Sequence, residues 1–137
     1  MQETTYVMIK PDAVAAGHVG QIITRFENAG LKIERLELAV LTREQAEGNY
    51  AEHQGKPFYE GLIDFITSGP VVKMAISGTG AVAKCRMLMG PTNPAEAAPG
   101  TIRGDFGLIT DANVIHGSDS PASAQREVKL FFGEQAR

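Results

Sequence analysis

The sequence predicts an α/β (α+β) fold, in which helices cover the faces of a ferredoxin-like four-stranded antiparallel sheet. Three observations support it: four short segments have strand character, amphipathic helical segments connect them, and no segment is repeated. Along the chain the order is strand, helix, strand, helical pair, strand, helix, long loop, strand, helix. A chain of 137 residues is long enough to bury a core without disulfides, so residues 1–137 are expected to form one domain.

The first strand and the first helix are marked by clear boundaries. Thr5–Ile9 is a β-prone run, and Pro11 cannot continue a central strand, so Lys10 is expected at the strand's end. Binding residues often gather at such ends. From Val19 to Ala29 the apolar residues have helical spacing, and Gly30 is expected to cap that helix in a left-handed conformation.

The second strand changes phase along its length. Leu31–Leu41 alternates between apolar and polar residues, but its first apolar residues are out of phase with the later ones. This predicts a bend or bulge near Glu34 and Arg35. The later apolar residues, which share one face, are Leu36, Leu38 and Val40.

A helical pair follows the second strand. Thr42–Gln45 is a capping box, which predicts a helix that runs to about Ala51 or Glu52. Gln54–Pro57 breaks the pattern, and Tyr59–Ile66 again has helical spacing until Ser68-Gly69-Pro70 ends it.

The third strand and the next helix come before a long loop. Val71–Ser77 alternates as a strand, and Gly78–Gly80 is expected to be a turn. The helix after it buries a stripe that includes Cys85 and leaves Arg86 off the buried face. From Gly90 to about Gly107 no regular structure is predicted, and irregular loops of this length are often functional.

The last strand is predicted to end at His116. Val114 and Ile115 are β-branched and lead directly into this histidine, and a glycine follows it, which predicts an exposed corner with a tensioned backbone. Ser120 is expected to cap a final helix with Pro121 at its first position.

Composition limits the classes of function. The net charge of −3 argues against a general affinity for nucleic acid or an anionic membrane, and no apolar run is as long as a membrane span. A single cysteine cannot form an internal disulfide and no signal peptide is evident, so we expect the protein to be located in the cytoplasm. The three histidines have no paired spacing, so no protein metal site is expected, and His18 and His53 are expected at the surface.

Three cations outside the apolar stripes could converge on a phosphate chain. Arginine binds phosphate through two hydrogen bonds, lysine acts as a point charge, and threonine is a neutral donor. The alternative for each cation is an ordinary solvated surface residue. The group consists of Lys10, Arg86 and Arg103, with Thr92 in the long loop.

Four further residues could complete an active site. A neutral imidazole is a nucleophile, so His116 could carry a transferred group, and Glu127 in the last helix could orient its ring. Phe58 at a helix start could stack on a nucleobase, and Tyr50 needs a polar partner for its hydroxyl if it is buried. The alternatives are a strand-end histidine, a surface carboxylate and an ordinary helix-tip aromatic. No Walker loop or dinucleotide fingerprint is present, so any nucleotide is bound in another way.

Six motifs, in this order and spacing, resemble those of the nucleoside diphosphate kinase family over nearly the whole chain. The last two are octapeptides and are the most specific. The motifs are Ile9–Asp12, Lys56–Phe58, Ser68–Val72, Thr92–Pro94, Pro99–Phe106 and Asn113–Ser120.

This resemblance implies a phosphotransferase that works by a ping-pong mechanism. The γ-phosphate of a nucleoside triphosphate, mainly ATP, passes to a nucleoside diphosphate through a phosphohistidine on the pros nitrogen of His116. By the same resemblance Glu127 holds the histidine ring, while Tyr50 and Ser118 support the site. Lys10 is implied to be catalytic as well as substrate-binding.

The resemblance also assigns the binding positions and the partners. Magnesium is implied to enter with the nucleotide phosphates, base specificity to be low, and the chain to form a hexamer or a tetramer, with the Gly90–Gly107 loop both binding phosphate and joining subunits. A non-catalytic nucleotide-binding module and a nucleotide hydrolase are the alternatives. The phosphate positions are Lys10, Arg86, Thr92 and Arg103, the sugar position is Asn113 with Lys10, and the base position is Phe58.

Overall fold

A four-stranded antiparallel sheet forms the centre of the molecule in a computed structural model, which describes residues 1–109 and 112–133. Its strands are β1 (Gln2–Ile9), β2 (Lys32–Ala39), β3 (Val71–Thr79) and β4 (Ile115–Gly117). In space their order is β2-β3-β1-β4, and every neighbouring pair is antiparallel. The predicted α+β, ferredoxin-like architecture is confirmed.

Helices cover both faces of this sheet. They are α1 (Pro11–Ala15), α2 (Val19–Asn28), α3 (Arg43–Asn49), α4 (Tyr59–Ile66), α5 (Ala81–Met89), α6 (Ile102–Phe106) and α7 (Pro121–Phe132), with 3-10 turns at Ala51–His53 and Pro94–Glu96.

The hydrophobic core has two parts, one on each face. Because side chains alternate along a strand, Val7 and Ile9 of β1 pack with α2 and α5, whereas Tyr6 and Met8 pack with α3, α4 and α7. Burial on both faces fixes β1 and the residues that follow it in one position.

Several predictions from local sequence signals are confirmed. Gly30 follows α2 with φ +85°, and a bulge interrupts the pairing of β2 and β3 between Ile33 and Arg35. Thr42 and Gln45 form both hydrogen bonds of the capping box. The hydroxyl of Ser120 accepts a hydrogen bond from the backbone N–H of Ser123 at the start of α7.

Other boundaries differ from the predictions. β1 begins at Gln2 and β3 continues to Thr79, because these two residues are paired across the ladder, so only Gly80 remains as a turn residue. α3 ends at Asn49, and a 3-10 turn takes up the next residues. The short α1 was not predicted, and the Gly90–Gly107 loop is partly regular, because Thr101 caps α6 within it.

The edge strand β2, with Val40 directly after it, carries an exposed apolar stripe. Leu36, Leu38 and Val40 share one face, as the alternation predicts, but they remain 51%, 66% and 58% exposed. No helix of the described chain covers them.

Candidate active site

A pocket of about 890 Å³ opens where β1 ends beside β4. The α3–α4 hairpin and the loop from Gly90 to Gly107 supply its other walls. The fold brings the sequence-predicted site residues together here, with Ser118 buried just behind the wall. Those that line the pocket are Lys10, Tyr50, Phe58, Arg86, Thr92, Arg103, Asn113, His116 and Glu127.

Lys10 joins the end of β1 to the long loop. It is 6% exposed, and its Nζ donates a hydrogen bond of 2.8 Å to Oδ1 of Asn113. The amide nitrogen of Asn113 in turn donates to the carbonyl oxygen of Thr92 at 2.9 Å. Because the lysine lies at a strand end that is buried on both faces, its position is set by the sheet.

Arg103 is a buried cation that donates only to backbone carbonyls. It is 4% exposed, and its guanidinium donates to the carbonyl oxygens of Gly90, Asn113 and Ile115 at 3.0, 3.3 and 2.7 Å. In residues 1–109 and 112–133 it has no carboxylate partner. Burial, and then the nearby charge of Arg86, lower the pKa of Arg103 to about 10. A desolvated, unneutralised cation of this kind favours a bound anion.

Arg86 lies near Arg103 and is the more exposed of the two arginines. It lies in the last turn of α5, and its Nη1 donates to the carbonyl oxygen of Gly117 at 3.1 Å. This contact links α5 to the residue that follows His116. Thr92 is exposed on the facing loop, so its hydroxyl is accessible to a ligand.

The imidazole of His116 is fixed by a carboxylate on one side. Nε2 lies 2.8 Å from Oε1 of Glu127, and the side chain of His116 is 17% exposed. The ring of Tyr50 meets the imidazole edge-on, at 5.7 Å between centroids. A carboxylate accepts the Nε2–H proton, so this contact selects the tautomer in which Nδ1 carries the lone pair.

Glu127 is held by two further donors. Ser118 Oγ donates to Oε1 at 2.8 Å, and Arg126 Nη2 donates to Oε2 at 3.2 Å. Its side chain is only 5% exposed. Since a buried carboxylate must be hydrogen-bonded, Ser118 and His116 together satisfy the oxygen that orients the ring.

The backbone strain near His116 lies two residues earlier than predicted. Val114 has φ +66°, the only positive φ of a non-glycine residue in the described ranges, and β4 therefore begins at Ile115. A β-branched residue is strongly disfavoured in this conformation. Valine is a typical strand residue, so the composition did not indicate a turn at Val114. The conformation of this residue is imposed by contacts with residues distant in the sequence.

Phe58 lies at the opposite end of the pocket. It is 49% exposed at the N-cap of α4, and Lys56 Nζ lies 5.9 Å from the centre of its ring. His53 is partly exposed, as a surface residue, and its ring lies 5.4 Å from that of Phe58, so it also lines the pocket. The sequence contained no signal that His53 belongs to the pocket.

His18 is partly exposed, and its ring packs against that of Phe106. Cys85 is buried in the α5 stripe as predicted, and burial raises the pKa of its thiol to about 12. Among the pocket residues that the sequence did not indicate is Asn49, whose amide is buried next to Tyr50. Burial also raises the pKa of Tyr50.

Comparison with known proteins identifies relatives of this chain. Residues 3–136 match the family profile described as nucleoside diphosphate kinase. Nucleoside diphosphate kinases from Archaeoglobus fulgidus and Listeria monocytogenes are 57% and 58% identical, over 96% and 97% of this chain and 87% and 90% of theirs.

Solved structures agree with this comparison. The Aquifex aeolicus nucleoside diphosphate kinase superposes with a TM-score of 0.96 at 39% identity, covering 99% of both chains. The Halobacterium salinarum enzyme, solved in complex with CDP, gives 0.96 at 46% identity, covering 99% of this chain and 91% of its own.

Proposed function

The chain belongs to the nucleoside diphosphate kinase family, as an enzyme that binds nucleotides and transfers phosphate to nucleoside diphosphates, and we propose that it works by a ping-pong mechanism through a phosphohistidine on His116. The observation that carries this proposal is the 2.8 Å contact between Nε2 of His116 and Oε1 of Glu127. It leaves Nδ1, the pros nitrogen, as the nucleophile. The whole chain, residues 1–137, acts as a single domain in this proposal.

Each half-reaction moves one phosphoryl group. The Nδ1 lone pair of His116 attacks the γ-phosphorus of the donor, mainly ATP, and the bond between that phosphorus and the bridging oxygen breaks. The nucleoside diphosphate leaves with the bonding electrons, and the phosphoryl group remains on Nδ1. The second nucleoside diphosphate reverses the step through its terminal phosphate oxygen. Glu127 keeps the imidazole oriented and stabilises the positive charge that develops on it.

The cations at the His116 end of the pocket bind the phosphates. Arg103 and Arg86 donate to phosphate oxygens, Thr92 adds a neutral donor, and Lys10 stabilises the charge of the transferred group. Asn113, with Lys10, binds the sugar hydroxyls. Tyr50 and Ser118 support the site next to the imidazole. Phosphoryl transfer depends mainly on positioning and charge neutralisation, which these fixed groups supply.

Phe58 is proposed to stack on the base. A half-exposed ring contacts the π-face that every base has, and it makes no hydrogen bond that reads the base edge. Low base specificity follows, so purine and pyrimidine nucleotides are both substrates.

Mg²⁺ is proposed to enter as part of the nucleotide substrate, bound through its phosphates. The described residues contain no group of three or more His, Cys, Asp and Glu side chains that could hold a metal ion. The pocket's cations suit the phosphates rather than the metal. When bound, the ion neutralises phosphate charge. Activity titrated against Mg²⁺ at fixed nucleotide should follow the concentration of the magnesium–nucleotide complex.

We also propose a homo-oligomer, either hexamer or tetramer, with the exposed stripe of β2 in a subunit interface. Exposed apolar stripes on an edge strand favour association. Light scattering should give the mass of the assembly, and Leu38→Glu should reduce that mass, whereas Lys32→Glu on the same strand should not. An unchanged mass for Leu38→Glu would remove β2 from the interface.

The proposed location is the cytoplasm, with neither membrane nor specific nucleic acid as a partner. The buried thiol of Cys85 fits a reducing compartment. Among the helices of the described residues, none combines the length and hydropathy needed to cross a membrane. Fractionation of cells that express the protein tests the location.

Mass spectrometry of the intact protein tests the phosphohistidine. After brief mixing with ATP and magnesium, at alkaline pH, wild-type protein should gain one phosphoryl group, and a different nucleoside diphosphate should discharge it. His116→Ala should neither gain the group nor transfer phosphate. Undiminished transfer by His116→Ala would overturn the proposed mechanism, and discharge to water at the same rate without an acceptor would indicate a hydrolase.

A further inference from the structure

The strained backbone at Val114 is the centre of a tight turn between two site residues. The N–H of Ile115 donates to the carbonyl oxygen of Asn113 at 2.8 Å, which closes a three-residue γ-turn around Val114, with φ +66°. Turns of this hand are rare and strained. The Val114 side chain is 3% exposed and packs in the core, so the residue cannot relieve the strain by rotating into solvent.

Contacts from distant parts of the chain hold this turn. Oδ2 of Asp12 accepts the N–H of Val114 at 3.1 Å, and the N–H of Lys10 donates to the carbonyl oxygen of Val114 at 2.8 Å. Arg103 donates to the carbonyl oxygens on either side of Val114, those of Asn113 and Ile115. Both peptide groups of the strained residue are therefore fixed by partners outside the turn.

Of the residues that hold the turn, only Asp12 uses its side chain to hydrogen-bond to Val114 itself. Its other oxygen, Oδ1, is buried and has no hydrogen-bond partner in the described ranges. A carboxylate that is only half satisfied is a poor device for stability, because burying it costs free energy. Strain maintained by a costly neighbour indicates a functional constraint.

The structure assigns to Asp12 a positioning role: by holding Val114 in its γ-turn, it fixes the Asn113 side chain against Lys10 and the direction in which the chain enters β4, which carries His116. Without the carboxylate, Val114 can relax to negative φ. That relaxation changes the chain direction between Asn113 and His116 while leaving both residues present. Displacements of about 1 Å in an active site cost about 10²-fold in rate.

The test measures kcat and KM of phosphate transfer, together with the thermal midpoint of unfolding. Asp12→Ala should lower kcat by about 10²-fold, with a smaller change in KM. Asp12→Asn, which keeps an acceptor of the same size, should lose less than Asp12→Ala, because neutral hydrogen bonds are about half as strong as charge-assisted ones. Glu44→Ala, which removes an acid from the first turn of α3, is the matched control and should leave kcat unchanged.

Rescue separates positioning from stability. Glycine adopts positive φ without strain, so the kcat of Asp12→Ala/Val114→Gly should exceed that of Asp12→Ala by about tenfold or more. Asp12→Ala/Val114→Ala also truncates the buried side chain but keeps the Cβ atom that disfavours positive φ, so it should recover much less. Equal kcat for these two double variants, or an Asp12→Ala variant with lower thermal stability and wild-type kcat, would overturn the assignment.

This inference concerns the His116 site and therefore rests on the proposed function, but its readout is the overall transfer of phosphate. If His116→Ala still transferred phosphate, the phosphohistidine mechanism would be wrong, but the kcat values of the two double variants could still be compared. If His116→Ala were inactive, as expected, and Asp12→Ala had the kcat of the wild type, only the role assigned to Asp12 would be wrong.

Discussion

The two ends of the pocket are built in different ways. At the His116 end, Lys10, Arg103 and Glu127 are each 6% exposed or less, and their side chains are hydrogen-bonded to β4 or to Asn113 just before it. At the Phe58 end the aromatic ring is 49% exposed. The two helices of the hairpin that carries it both pack on the core, and exposed ion pairs from Arg43 in α3 to Glu60 and Asp64 in α4 join them at the surface.

This difference separates two physical requirements. Transfer of a phosphoryl group requires charges fixed before the reaction, which a buried set of hydrogen-bonded groups provides. Binding of different bases requires a surface that accepts each of them, which a half-exposed aromatic ring provides. We therefore expect substitutions at the His116 end to lower kcat and substitutions at the Phe58 end to raise KM.

Glu127→Gln is expected to have the largest effect. The amide keeps the shape but can donate to Nε2, which selects the tautomer with a protonated Nδ1. Loss of the correct tautomer lowers rates by roughly 10²- to 10⁴-fold in comparable histidine–carboxylate pairs. Single-turnover phosphorylation of His116 measures it, with Glu52→Gln, on the exposed pocket wall, as the control. A wild-type single-turnover rate would make Glu127 an ordinary buried carboxylate.

Arg103→Lys is expected to have the next largest effect. A lysine cannot reach the three carbonyl oxygens at once, so buried acceptors are left unpartnered and the turn at Val114 loses two contacts. We expect a loss of about 2–3 kcal/mol of transition-state stabilisation, or roughly 30- to 150-fold in kcat/KM. Arg86→Lys is the matched control and should lose less, because Arg86 donates to one carbonyl and is exposed. Equal losses would show that burial of Arg103 does not matter.

Phe58→Ala should raise KM and leave kcat nearly unchanged. Because the ring is 49% exposed, we expect the lower end of the stacking range, about 1 kcal/mol, or roughly fivefold in KM. The effect should be similar for purine and pyrimidine nucleotides. Phe58→Tyr keeps the ring and should behave as wild type. A fall in kcat with unchanged KM would place the base elsewhere.

Much of the fold could be predicted because its signals are local. The capping box of Thr42, the glycine after α2 and the Ser120–Pro121 start of α7 each act within a few residues, and the structure contains all three. The short α6 was missed because its cap, Thr101, lies among prolines and glycines that indicate a loop.

Features of the site that depend on distant contacts could not be predicted in the same way. Val114 has the composition of a strand residue, yet its conformation depends on Asp12, which is 102 residues away in the sequence. The exposure of the apolar face of β2 depends likewise on which helices reach it. Family motifs indicated which residues meet in the pocket, but the bonds that fix them are visible only in the folded chain.

Arg43→Gln gives the smallest expected effect and tests the hairpin directly. Removing the guanidinium breaks the ion pairs from α3 to α4, so Phe58 should be less well placed and KM should rise about twofold at low salt, as exposed ion pairs are weak. The difference from wild type should disappear near 1 M salt, where the screening length is about 3 Å. Lys32→Gln, with the same loss of charge on β2, should show no such change. A salt-independent loss of kcat in Arg43→Gln would mean that the hairpin belongs to the rigid end of the pocket, and the comparison between the two ends would then fail.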